Sequence, residues 1–525
     1  MEKRRSWFWL GAIGFTSLIL TASLSSSSFA QEKPASATSA VPKERLRSAD
    51  VEEWADQLFG SWVRDHSVSG LAVAVTQGDH VVFLKGYGYA DWATKASVDP
   101  QTSQFRIASL TKTFTATAVA QLLQAGKIAS LNDPVNKYLK RIQLPKNAGQ
   151  DIRIWDLLTH RPGFADFPLN KGNVPTALPV PGSYIEALMP GYARPRDILS
   201  IYSNFGVAML GVMVEDITGE TLPDYMQEHI FKPLGMAHTV LTDARTAGPD
   251  VVRQYAFRPN EAPIPQLYPL ASPILDPAGD INSTAGDMAK WIIAHIEEGH
   301  GPGPVILSPK YFQLMHKRHT GNDPRMSGFG MNFFVYNYNG EKILEHYGSL
   351  KFRSLELMLM KRKIGIFVTM GGGGEPGPGD PTVAADGLPL INGPVEKAIS
   401  HSGARAAILE HFLGKLPFQR DTKVNTAEYT GTYYNLAGYS SNPNAHPVKV
   451  AASTDGGLVI NGIGVYRPSG KDMFTLDGTL PLDTGFGFSA EYVFVKQLDG
   501  SMRMFGEVNA GGYERKVENG SAPGG

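Results

Sequence analysis

Two β-prone blocks stand at opposite ends of a long, mostly helical stretch, and this arrangement constrains the fold more than any other feature of the chain. The first block is Gly70–Val75, then Gln77-Gly78-Asp79, then His80–Leu84. Two apolar runs around a Gly-Asp turn predict a β-hairpin. The second block is Lys342–Tyr347, Leu355–Met360 and Ile364–Met370, with Lys361-Arg362-Lys363 as a turn. Strands first, helices in the middle and strands last predict an α+β domain: one antiparallel sheet built from both ends, flanked by helices.

The stretch between carries helix signals. A helix is expected from Ala49 to Trp62. Ser109 to Ala125 has Phe114, Ala118 and Leu122 at four-residue spacing, with Gly126 where a helix C-terminus favours glycine. Phe205–Ile217 is a second helix, closed by Gly219. Thr284-Ala285-Gly286-Asp287 resembles a capping box ahead of Met288, Ile292 and Ile296. A helix carrying Ile399, Ile408 and Phe412 closes the domain at Gly414. Arg161–Pro195 and Gly371–Pro381 are Pro- and Gly-rich and read as irregular loops.

From Leu416 the texture changes. Gly431–Tyr434, Val448–Ala451, Leu458–Ile460, Tyr492–Val495 and Met502–Val508 alternate with Gly, Asn and Asp turns, which predicts a small C-terminal antiparallel β-barrel or sandwich. The expected organisation is a signal peptide over 1–30, a flexible lead-in over 31–48, the sheet-and-helix domain over 49–415 and the barrel over 416–525, with a frayed tail after Val517.

The N-terminal expectation rests on Lys3, Arg4 and Arg5, an apolar run from Trp7 to Leu20, and Ser28-Phe29-Ala30 as a small-x-small cleavage site. The alternative is a retained anchor, but Ser25–Ser28 interrupt the run before it reaches spanning length. A periplasmic or secreted location follows, with no stable membrane anchor after cleavage. Loss of Glu2 and the three basic residues moves the formal charge from -1 to -3. That balance excludes neither peptides nor small molecules and gives no reason to expect nucleic acid. With no cysteine among 525 residues, disulfides, thiolate metal sites and a cysteine nucleophile are excluded. No metal or other cofactor is implied, and oligomeric state is left open.

Three short motifs carry chemistry. In Ser109-Leu110-Thr111-Lys112, residues three apart share a helix face, so hydroxyl and amine can meet. Serine needs a neighbouring base to become a nucleophile, and lysine serves only if its pKa is depressed. Taken alone, such a serine reads more readily as a helix cap. Tyr202-Ser203-Asn204 offers a phenol to relay a proton and an amide to hold a substrate carbonyl, or else a half-buried tyrosine with a capping asparagine. His346-Tyr347-Gly348-Ser349 ends a strand, where a glycine permits close approach of a ligand and the histidine can contact the tyrosine–lysine pair or a substrate polar group, or else is an ordinary strand histidine.

In this order the motifs closely resemble the serine β-lactamase and penicillin-recognising family, in the branch of class C β-lactamases, S12 peptidases, D-aminopeptidases and family VIII-type esterases. Arg106–Lys112, Leu157–Gly163, Tyr202–Gly206, Pro233–Met236 and Pro277–Thr284 are similar to its landmarks, over about residues 49–415. The resemblance implies a β-lactamase/transpeptidase-like fold. It implies Ser109 as the acylated nucleophile, Lys112 and Tyr202 as proton-transfer groups, and Asn204, His346, Gly348 and Ser349 around the substrate. The N–H groups of Ser109 and Ser349 would form the oxyanion hole. Glu428–Tyr434 makes the C-terminal unit look like the lipocalin-like barrel of several family peptidases, where it would cap the cleft or drive oligomerisation.

His346 stands where penicillin-recognising enzymes usually begin Lys-Thr-Gly. This departure weakens the β-lactamase reading and favours the D-aminopeptidase, S12-peptidase or esterase branches. The His-x-Gly motif and the appended barrel shift the expectation toward an exported peptidase or amidase, with a small-molecule or peptide substrate that can contain D-amino acids or be non-ribosomal, such as linearised microcystin. The alternatives are a carboxylesterase, a β-lactamase or D,D-carboxypeptidase of the same family, and a non-catalytic, penicillin-sensor-like binding protein. Lys351 and Arg353 either line the pocket or are solvent-facing strand residues.

Overall fold

The computed structural model describes residues 45–65, 68–165, 179, 181–241, 250–256, 263–266, 275–300, 305–349, 352–371, 401–416, 424–436, 447–478, 489–506 and 512–515. The expected leader, most of Gly371–Pro381, Lys351, Ile399 and the tail after Val517 lie outside them. All that follows concerns the unit Lys43–Gly525.

The two β-prone blocks pair as expected. The hairpin Gly70–Gln77/His80–Asp91 turns at Gly78, which has φ 60°. An eight-stranded antiparallel sheet runs in the order Ala96–Ser97, His80–Asp91, Gly70–Gln77, Ile364–Gly371, Arg353–Leu359, Glu341–Ser349, Phe334–Tyr338, Gly328–Phe329. Gly70 faces Gly371 across the join, so the two ends of the domain share adjacent central strands.

Both faces of the central strands are covered. One packs under the helices Thr111–Gln124, Asn204–Thr218 and Ala285–Ile296, through residues such as Leu344, Met358 and Phe367. The other packs against Ser48–Arg64 and His401–Leu413, through Leu355, Leu357 and Ile366. That second face holds a buried ion pair: Arg405 Nε donates to Glu345 Oε2 at 2.8 Å, and Tyr336 donates to the same oxygen at 2.6 Å. The helix Thr111–Gln124 is enclosed nearly all round, with every side chain from Thr111 to Ala120 buried, so it is a core helix without a solvent stripe.

The structure departs from the sequence reading in four places. The Ser109–Ala125 helix starts at Thr111, with Ser109 in a preceding 3-10 turn, Ala108–Leu110. The loop Arg161–Pro195 contains a helix, Gly182–Leu188, whose Ile185 and Leu188 are buried. A three-stranded sheet (Phe105–Arg106, Ile281–Ser283, Val240–Leu241) had no strand-length signal. Thr284 caps its helix by accepting from the Asp287 N–H, while the Asp287 carboxylate accepts from the His238 N–H at 2.7 Å.

The C-terminal residues form a closed, up-and-down, eight-stranded antiparallel barrel. Three of its strands, Val465–Gly470, Met473–Leu476 and Tyr513–Arg515, go beyond the sequence reading. Tyr433, Tyr466, Phe474 and Phe494 fill the interior, and Ala406 from the helix His401–Leu413 joins that core.

Arg405→Ala is expected to destabilise the domain by about 3–5 kcal/mol, because it leaves the Glu345 carboxylate buried without its cation. Urea unfolding of the variant beside wild type checks this. A loss below about 1 kcal/mol would show that the pair carries no such burden.

Candidate active site

The Ser109 turn begins from a strained backbone. Ala108 has φ 49°, a left-handed conformation that costs a residue with a Cβ roughly 1–2 kcal/mol. Its neighbours hold it there. Thr111 Oγ1 donates to the Ala108 carbonyl at 2.7 Å and accepts from the Ile281 N–H at 3.1 Å. The Ile107 N–H donates to the Ile281 carbonyl at 2.9 Å. On the other side the strand Glu341–Ser349 closes in at Gly348, where a Cβ would lie 2.1 Å from the Ile107 carbonyl oxygen. The sequence reading gave that glycine to a ligand. The structure gives the space to the protein's own serine turn.

Lys112 follows in the first turn of the helix and is fully buried. Its Nζ lies 3.0 Å from Ser109 Oγ and donates to the Ala278 carbonyl at 2.6 Å. Burial holds its pKa well below the ordinary lysine value, which favours the neutral amine. A neutral amine has one lone pair. With an N–H committed to Ala278, that lone pair is free to take the Ser109 proton.

Ala278 is itself fixed from several sides. Arg106 and Asp280, both buried, form an ion pair beside it. Thr115 Oγ1 donates to the Pro277 carbonyl at 2.6 Å. These contacts explain the Pro277–Thr284 landmark, whose role the sequence left unassigned.

Tyr202 lies just before the helix Asn204–Thr218. Its ring centroid is 4.8 Å from Lys112 Nζ. The N-cap of that helix is Ser203, whose Oγ accepts from the Gly206 N–H at 3.0 Å. Asn204 is therefore not the cap. It is half-buried, and among the described residues its side-chain amide has no hydrogen-bond partner.

His160 had appeared only within a landmark. Its imidazole stacks on Tyr202 with centroids 4.6 Å apart, and its Nδ1 accepts from the Ser203 N–H at 3.0 Å. Accepting at Nδ1 places the proton on Nε2. Burial first, then the neighbouring Lys112 and His346, push its pKa well below the usual range, so it stays neutral. No motif spacing links His160 to Tyr202, because the contact spans 42 positions.

His346 is fully buried, with Nδ1 2.8 Å from the Tyr347 carbonyl oxygen. Its ring lies 6.0 Å from Tyr202 and 5.3 Å from Phe334. It is thus on the tyrosine side of the site but enclosed. Ser349 is exposed at the strand end. Arg353 pairs with Ser349, and strand alternation puts it on the sheet face of Leu355 and Leu357, away from the serine helix. It matches neither expectation: it is partly buried and does not face Ser109.

An antiparallel sheet and an enclosed helix that deliver a serine hydroxyl to a buried lysine define the class: a serine hydrolase. The family model described as Beta-lactamase matches residues 52–388, and the chain belongs to that family. Over 299 residues it is 28% identical to a putative penicillin-binding protein, PbpX, of Bacillus subtilis (strain 168), a match covering 57% of this chain and 69% of that one. It is also 28% identical to an unguisins hydrolase of Aspergillus campestris (strain IBT 28561), covering 59% of each. In that second case the match spans less than two thirds of the relative. Among solved structures, the octameric penicillin-binding protein homologue from Pyrococcus abyssi is similar in fold, with TM-score 0.55 and 20% identity, covering 89% of this chain and 99% of that one.

Gly348→Ala is expected to cost about 1–3 kcal/mol, the usual penalty for forcing atoms into a filled site. It should also displace the Ser109 turn and suppress labelling of Ser109 by a fluorophosphonate. Thermal melting and intact mass report the two effects; normal labelling would show that the turn does not depend on this contact.

Proposed function

We propose that the chain is an exported serine hydrolase that cleaves an amide or peptide bond through an acyl-enzyme, with Ser109 as nucleophile. The observation that carries this reading is the fully buried Lys112 amine 3.0 Å from Ser109 Oγ. As Oγ attacks the carbonyl carbon, its proton passes to the Lys112 lone pair. The N–H groups of Ser109 and Ser349 receive the oxyanion, an interaction worth roughly 3 kcal/mol per donor in the transition state. Collapse breaks the C–N bond. The proton returns to the leaving amine by way of Lys112 and Tyr202, and the same groups then activate water to release the acyl group. Asn204 holds the substrate's carbonyl or amide.

Peptide or amide bonds are favoured over esters on the His346-Tyr347-Gly348 pattern and the appended barrel. Export is read from the basic, apolar and small-residue pattern of residues 1–30. Among the described residues no helix is long and apolar enough to cross a membrane.

A fluorophosphonate should add one mass adduct to wild type and none to Ser109→Ala. That variant should lose turnover while its melting temperature stays within a few degrees, since a hydroxyl at the end of a turn carries little core energy. Activity surviving in Ser109→Ala would end the assignment. A panel of D- and L-aminoacyl amides, peptides, short esters and a chromogenic cephalosporin then ranks the bond types.

The depressed Lys112 pKa sets the sign of the pH dependence. Only the neutral amine accepts the Ser109 proton, so kcat/KM rises with pH through the native lysine pKa and then levels off. The rise should be complete well below the ordinary lysine value of about 10.4. A profile still climbing at about pH 10 would show that burial does not tune this amine.

A further inference from the structure

Along the barrel strand Glu491–Lys496, alternation points Tyr492 and Phe494 into the barrel core and Val493 outward. Phe505 lies opposite Val493 in register and shares the outer face. An outward-facing residue on a small barrel is ordinarily wet, yet Val493 is 0% and Phe505 3% exposed. Met326 of the sheet-and-helix domain covers them, itself 3% exposed, with Leu436, Met473 and Val495 around it. Beside this contact Arg325 donates to the Lys471 carbonyl of the barrel, and Arg194 Nη2 donates to the Leu436 carbonyl at 2.9 Å.

The segment that carries Met326 is tied inward. Arg318 Nη2 donates to the Asp323 carbonyl at 2.7 Å, and Asp323 Oδ1 accepts from the Arg325 N–H at 2.9 Å. Asn322 then brackets Ser200. Its Oδ1 accepts from the Ser200 N–H at 2.8 Å and its Nδ2 donates to the Ser200 carbonyl at 3.0 Å. Ser200 Oγ donates to Thr320 Oγ1 at 3.1 Å. Ser200 stands two residues before Tyr202, in a stretch without helix or strand. Such a stretch has few main-chain bonds, here the Ile201 N–H to the His160 carbonyl at 2.8 Å, and takes the rest of its position from side-chain contacts.

We infer that the barrel is a positioning element for Tyr202: by seating Met326 and Arg325 it holds residues 318–326, and through Asn322 it fixes Ser200 and so the phenol. The inference rests on the proton-transfer role proposed for Tyr202. Met326, Asn322 and Ser200 are positioning residues, acting through Tyr202 without touching substrate.

The test uses the full chain with Met326→Ala, Asn322→Ala, the double variant, the conservative Met326→Leu, and Leu498→Ala as a control on an exposed barrel position. Two readouts are taken: amide hydrogen exchange over residues 199–203 and over the helix Thr111–Gln124, and the kcat and KM of whichever aminoacyl amide wild type hydrolyses. Met326→Ala and Asn322→Ala should each speed exchange over 199–203 at least fivefold and leave the serine helix unchanged. Each should lower kcat at least fivefold, with KM within twofold. The double variant should be no worse than Asn322→Ala, as expected for one line of contacts. Met326→Leu should restore both readouts, and Leu498→Ala should move neither. Unchanged exchange over 199–203 overturns the coupling whatever the activity. Faster exchange with unchanged kcat overturns the role of Tyr202 placement in turnover. If wild type shows no Ser109-dependent turnover while exchange still responds, the proposed function fails and the mechanical link stands.

Discussion

Taking the Lys112 amine out of water is the constraint on which the rest of this structure depends. An ammonium with no water and no carboxylate partner is costly, and the least costly way out is to lose the proton. The same burial that would burden an ordinary core thus favours a neutral amine 3.0 Å from Ser109 Oγ. It also shapes the packing: the serine helix is enclosed nearly all round, and the Ala278 carbonyl is brought to the buried amine.

Holding a carbonyl against a buried amine requires a rigid frame, and polar contacts supply much of it. Arg106 and Asp280 pair beneath the turn, Thr111 and Thr115 tie it to residues 277–281, and Gly348 lets a strand approach without a side chain between. The ion pair and the two threonine hydroxyls are buried and paired with neighbours, so each fixes a distance. The strain at Ala108 persists because the surroundings over-determine it.

Tyr202 is placed differently. It sits outside any regular element and is located by His160 beneath its ring, by the cap at Ser203 and by the bracket on Ser200. The cap is local, whereas His160 and the Asn322 bracket come from far away in sequence, and the bracket continues to the barrel. A barrel fused to such a domain therefore has a mechanical route to the site that does not require it to cover the cleft.

The sequence by itself determined the class of fold, the existence of the barrel and the identity of the Ser109, Lys112 and Tyr202 cluster. Local periodicity and turn residues mark strands and helices, and a three-residue spacing from a 3-10 turn into the helix that follows brings Ser109 and Lys112 together. It did not determine that Gly348 makes room for the serine turn, that Arg353 faces the other side of the sheet, or that His160 underlies Tyr202. Nor did it show that Met326 meets Phe505. Those facts depend on sheet register and on side chains that meet across tens or hundreds of positions, where no local pattern records which residue will be the neighbour. Only the tertiary structure decided them, because burial and contact are properties of the whole packed chain.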